Sequence, residues 1–103
     1  MEEEFYTAFV DASIADLVPE YMQNRRKEVA LLKKYLGEAN FDGIAGLAHR
    51  MVGVGTPYGF HHISSLAKVI HETARAKDKD TVASLISEYA HYVEHVTIKY
   101  RGG

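Results

Sequence analysis

Four stretches of this chain carry apolar residues at intervals of three and four, and each is bounded by residues that start or stop helices. Leu17, Tyr21, Met22, Val29, Leu32, Tyr35 and Leu36 keep that spacing up to Gly37, a residue type suited to the position just past a helix C-terminus. Ile44, Leu47, Ala48 and Met51 keep it up to Thr56-Pro57, where proline pushes the preceding residue out of the helical region. Ile63, Leu66, Ala67, Ile70 and Ala74 make a third stripe from Phe60 onward. Val82, Leu85, Ile86, Tyr89, Val93 and Val96 make the fourth, beyond the turn cluster Lys77-Asp78-Lys79-Asp80. Start signals match: Ser13 caps a short turn running into Pro19, Asn40 caps the second helix, and Asp78 or Asp80 caps the last. Four amphipathic helices joined by short connections predict an all-α fold, an antiparallel up-and-down four-helix bundle.

The bundle is expected over residues 13–100. Residues 1–12 form an N-terminal arm, extended or a short packed helix, and residues 101–103 a frayed C-terminal tail. The single β-like stretch, Val96-Thr97-Ile98-Lys99-Tyr100, is not expected to be a strand, because one strand cannot satisfy its own hydrogen bonds.

Length and composition narrow the function. At 103 residues the chain holds one core, with no room for a nucleotide-binding fold beside it. Apolar residues at 47% and charged residues at 25% are ordinary for a soluble domain. A net charge of −2 advertises neither a nucleic-acid nor a membrane partner. The basic runs Arg25-Arg26-Lys27 and Lys33-Lys34 are interrupted by acids and apolar positions and read as a solvated helix face. The lack of cysteine removes disulfides, thiolate catalysis and cysteine-ligated metal. The start Met1-Glu2-Glu3-Glu4 is acidic with no long apolar run after it, so no signal peptide or membrane span is expected and the location is cytoplasmic.

Within the second helix one histidine stands apart. At about 100° per residue, Ile44, Leu47, Ala48, Met51 and Gly55 share the inward arc, and His49 lies roughly 140° from Ile44, facing outward. Gly46, three residues before it, and Gly53, four after, share its stripe. A glycine inside a helix costs about 1 kcal/mol relative to alanine, so the sequence gives up stability to leave one imidazole on a bare ridge. Glycines on a helix face also serve close helix packing, the competing explanation. A nucleophile approached by another protein needs such clearance.

An exposed histidine, Gly53 four residues on, Gly59 ten residues on and apolar Phe60 directly after it together resemble the histidine-containing phosphotransfer (HPt) domain family. That family's motif runs His-x-x-Lys-Gly, then small residues, then Gly-apolar, and the resemblance covers Ser13 to Tyr100. It implies a phosphocarrier in two-component signalling, without an ATP site of its own. His49 would take a phosphoryl group from a phospho-aspartate and pass it to another aspartate. The implied partners are a response-regulator receiver domain, a hybrid histidine kinase, or both, with Mg2+ held by the receiver and no cofactor in this chain. Neither a Walker-type sequence nor a kinase signature is present. Val52 stands where the family has lysine, whose ammonium would help stabilise the phosphoryl charge, so slower transfer or a shorter-lived phosphorylated form is expected. Arg50, Lys68 and His71 are the candidates for the phosphoryl group's environment. Gly46, Val52, Gly53, Thr56 and Gly59 are the expected docking residues, with Ala45, Tyr58 and an edge of Met51 adding apolar surface.

Two other functions compete. Val52 also suits a degenerate adaptor that binds a receiver or kinase without accepting phosphate. Six histidines suit a metal- or haem-binding bundle, with His91 and His95 at i, i+4 spacing and His61-His62 at a helix start. Against the latter, the inward faces lack the Glu-x-x-His pairs of a di-iron bundle, and His91 and His95 are expected on a solvated face.

Overall fold

The structure, a computed structural model, describes residues 6–102. The acidic start at Met1 to Glu4 and the last residue, Gly103, lie outside them. The described chain is mostly helical, with α1 (Val18–Gly37), α2 (Phe41–Gly55), α3 (His61–Arg75) and α4 (Lys79–His95). A short 3-10 segment, Ala12–Leu17, precedes α1, and a 3-10 turn, Thr56–Tyr58, follows α2.

The helix boundaries have local causes. Pro19 sits in the first turn of α1, where its missing N–H leaves no extra donor unpaired. The Asn40 side chain accepts from the Gly43 N–H at 2.9 Å and caps α2. Asp78 caps α4 by accepting from the Thr81 hydroxyl at 2.7 Å and the Thr81 N–H at 3.3 Å. Two details differ from expectation. Asp11, not Ser13, caps the first 3-10 segment, accepting the Ser13 N–H at 2.9 Å. The left-handed residue after α1 is Ala39, φ 53°, two positions beyond Gly37, and Lys77, φ 57°, plays the same part after α3.

The helices pack in cyclic order, α1 on α2, α2 on α3, α3 on α4 and α4 on α1, with the α2–α3 contact the most extensive. The core they enclose includes Leu32, Ile44, Met51, Ile63, Ile70, Ile86 and Tyr89, each no more than 2% exposed. Phe60 and Tyr92 are equally buried. Met51 therefore offers no edge to a partner.

The chain is not purely helical. β1 (Thr7–Asp11) pairs in parallel with β2 (Thr97–Arg101), in register from Thr7 opposite Thr97 to Asp11 opposite Arg101. The stretch discounted as a lone strand thus has a partner at the other end of the chain. Parallel strands need a long crossover, and here the four helices supply it. Ala8 and Val10 point inward and are 3% and 0% exposed, so the segment read as an arm belongs to the core. Arg101 lies inside the ladder instead of in a frayed tail.

Arg25 also departs from expectation. It is 7% exposed, with its guanidinium 4.4 Å above the Tyr21 ring. Its Nε and Nη2 donate to Glu28 Oε1 and Oε2 at 2.7 and 3.0 Å. Tyr89 donates its hydroxyl to Glu28 Oε1 at 2.9 Å. A guanidinium is weakly hydrated and stacks on aromatic faces, which lets it leave the solvated face its neighbours Arg26 and Lys27 keep.

Candidate functional site

α2 stays helical through Gly46 and Gly53 because its inner face outweighs them. Ile44, Leu47 and Met51 are 0–6% exposed, and burying each such side chain contributes about 1.5–3 kcal/mol, against roughly 2 kcal/mol for two interior glycines. His49 projects from the opposite side and is exposed. Gly46 and Gly53 are exposed as well, and a Cβ at either would meet no atom within 4 Å. Nothing in the fold itself requires these two positions to lack a side chain.

The group that meets the His49 ring comes from α3. The His71 ring centroid lies 5.4 Å from that of His49, tilted by 47°. His71 is half-buried, whereas Arg50 and Lys68 are exposed. Val52 is half-buried and packs against the core, so the position where the resembled motif carries lysine presents a partly covered apolar side chain.

The C-terminal end of the ridge is pinned. The Ser64 hydroxyl of α3 donates to the Val52 carbonyl at 2.9 Å. It accepts from the Thr56 N–H at 3.0 Å and the Thr56 hydroxyl at 3.1 Å. The Tyr21 hydroxyl donates to the Val54 carbonyl at 2.7 Å. Carbonyls and an amide left over where α2 breaks are thereby satisfied. Gly55 allows the approach, since a Cβ there would run into the Phe60 carbonyl and Ser64. Gly59 has φ 93° and a Cβ on it would strike the Phe9 carbonyl of β1. Its lack of a side chain is thus explained by the turn and the strand beside it, without a docking role. Thr56 is exposed, but its hydroxyl is already engaged by Ser64.

Aromatic packing continues behind this end. Tyr21 stacks with both Tyr58 and Phe60, with centroids at 4.4 and 5.0 Å. Burial raises the Tyr21 and Tyr89 phenols above their ordinary range. Burial alone would lower the Arg25 guanidinium, but its hydrogen bonds and charge contact with Glu28, helped by Tyr21, outweigh that and raise it. Arg25 therefore stays charged and both phenols stay neutral.

Set against protein-family models, curated proteins and solved structures, the chain finds no match.

The remaining histidines divide into two pairs. His62 is half-buried, meets the Tyr92 ring edge-on at 4.9 Å, and is lowered by burial, with Glu88 opposing. Burial pushes the Tyr92 phenol up to about 12. His91 and His95 lie on the outer side of α4 with ring centroids 4.2 Å apart. Among the described residues no group of three or more His, Cys, Asp or Glu converges as a metal cage, and no helix is long and apolar enough to cross a membrane. Sequence reasoning did not single out Ser64, and it placed Tyr21 in the apolar stripe of the first helix without its bond to Val54. Each acts through a hydrogen bond to a residue distant in sequence, and such bonds leave no periodic trace.

Proposed function

We propose that this chain is a phosphocarrier of two-component signalling, with His49 as the residue that accepts and releases the phosphoryl group. The observation that carries the proposal is the exposed His49 ring between two glycines that the fold does not need, with His71 beside it. In this reading the four helices run up and down, each antiparallel to the next, as their short connections favour.

A neutral ring nitrogen of His49 attacks the phosphorus of a phospho-aspartate on a receiver domain. The N–P bond forms as the P–O bond to aspartate breaks; the electron pair leaves with the carboxylate, and the ring proton passes to solvent. The reverse exchange delivers the group to another aspartate. Histidine suits this because its neutral form is available near neutral pH. Phosphoryl transfer depends mainly on in-line positioning and charge neutralisation, and the receiver brings the neutralising Mg2+ and carboxylates. His71 offers an N–H donor, or a positive charge when protonated, on the side where Val52 has none. Arg50 and Lys68 are long enough to join once a partner docks. Gly46, Val52, Gly53 and the exposed edge at Thr56 form the contact ridge, the small kind of interface that transient signalling uses. The carrier works in the cytoplasm, with a receiver or hybrid kinase as partner and without nucleic acid or membrane.

Incubation with a phosphorylated receiver tests this directly. Wild type acquires acid-labile, base-stable label, and H49Q acquires none. Val52 favours one other reading, an adaptor that binds a receiver without taking phosphate. Binding by wild type with no label on His49 supports that reading and overturns the first.

A further inference from the structure

His91 and His95 occupy successive turns at the end of α4, exposed and with ring centroids 4.2 Å apart. Residues at i and i+4 share a helix face, so the backbone brings the rings together. His91 is also held edge-on against Tyr6, with centroids 5.3 Å apart and planes at 86°. Tyr6 is in turn tied to the residue that begins β2, because its carbonyl accepts the Thr97 N–H at 2.6 Å.

We propose that His91 and His95 form a surface chelate for a divalent first-row transition-metal ion. One ring nitrogen from each histidine binds the ion and water completes its coordination. Two histidines at i, i+4 on one helix face are a spacing that metal sites use, and imidazole suits copper, nickel and zinc. The pair sits at the C-terminal end of a 17-residue helix, where the last carbonyls carry partial negative charge and favour a cation. No third described side chain of metal-binding type converges on the pair. Affinity then rests on two imidazoles, and Cu2+ is held more tightly than Ni2+ or Zn2+. A bound ion links the last two turns of α4 just before β2 begins. The site is separate from His49 and does not depend on the phosphocarrier proposal.

The test titrates the full chain with CuCl2, NiCl2 and ZnCl2, read by calorimetry and by NMR of the six histidines. The expected result is one ion per chain, Cu2+ tightest, with paramagnetic broadening by Cu2+ greatest at His91 and His95. H95Q then weakens binding on the order of ten-fold or more, a loss that even an outer-shell change can cause, and H49Q leaves it unchanged. His95 is exposed at a helix end, so H95Q keeps the fold, which circular dichroism verifies; H91Q repeats the test on the other ligand. Binding by H95Q and H91Q equal to wild type overturns the proposal. So does broadening centred on His49 and His71 or on His61 and His62.

Discussion

The rings of His49 and His71 face each other across the α2–α3 contact, 5.4 Å between centroids and 47° apart in plane. One ring is exposed and the other half-buried. The exposed ring is therefore free to meet a partner, while the second is held by the bundle at a fixed distance from it.

If His71 stands in for the missing lysine, H71A slows phosphoryl transfer to His49 or shortens the life of the phosphorylated form by roughly ten-fold. That is the scale of one hydrogen bond to a charged group, about 1.5 kcal/mol. H71Q, which keeps a donor, recovers part of the loss. Label kinetics with a phosphorylated receiver measure both. Equal rates in wild type and H71A would remove His71 from the site.

On the proposed phosphocarrier role, the open glycines set stability against docking. Gly46→Ala and Gly53→Ala each raise unfolding free energy by about 1 kcal/mol, because the new methyl meets no atom within 4 Å. Gly53→Leu keeps much of that gain and slows transfer by crowding the ridge. Urea denaturation and transfer assays on the same variants show whether the two effects part company.

Backbone sign decides a second pair of substitutions. Ala39→Gly relieves a left-handed alanine at φ 53° and stabilises by up to about 1 kcal/mol. Gly59→Ala adds a methyl against the Phe9 carbonyl at φ 93° and destabilises by roughly 2 kcal/mol or more. Thermal melts separate them by sign.

In the Arg25–Glu28–Tyr89 network, removing the acid costs more than removing the hydroxyl. Y89F loses one hydrogen bond, about 1 kcal/mol. E28A strands the Arg25 guanidinium, 7% exposed, and costs roughly 2–3 kcal/mol. R25M in the E28A background restores part of the loss, since no buried charge is then left without its acid. Chemical denaturation of the three variants ranks them.

His62 makes the fold sensitive to acid. Burial lowers its pKa in the folded state, so below the ordinary histidine value near 6.5 the unfolded chain binds a proton that the folded chain resists. Its contribution is full above that value, declines as pH falls from there toward the folded pKa, and levels off below it. The wild-type denaturation midpoint should drop across this window, and H62Q should flatten the drop.

What the sequence determined by itself is what depends on neighbours within one or two helical turns. The four apolar stripes, the cap at Asn40, a cap at Asp78 or Asp80, and the outward direction of His49 all follow from a period of 3.6 residues and from side chains that bond the nearest free N–H. What only the tertiary structure decided involves partners far apart in the chain. Thr97–Arg101 becomes a strand because Thr7–Asp11 lies beside it. Arg25 leaves the solvated face because the Tyr21 ring receives its guanidinium and Glu28, itself bonded to Tyr89 of α4, pairs with it. Gly59 is needed because β1 passes against it, and the His49–His71 distance is set by how α2 packs on α3. Local periodicity specifies which way a side chain points from its own element, but the distance between two elements is fixed only when their buried faces interlock.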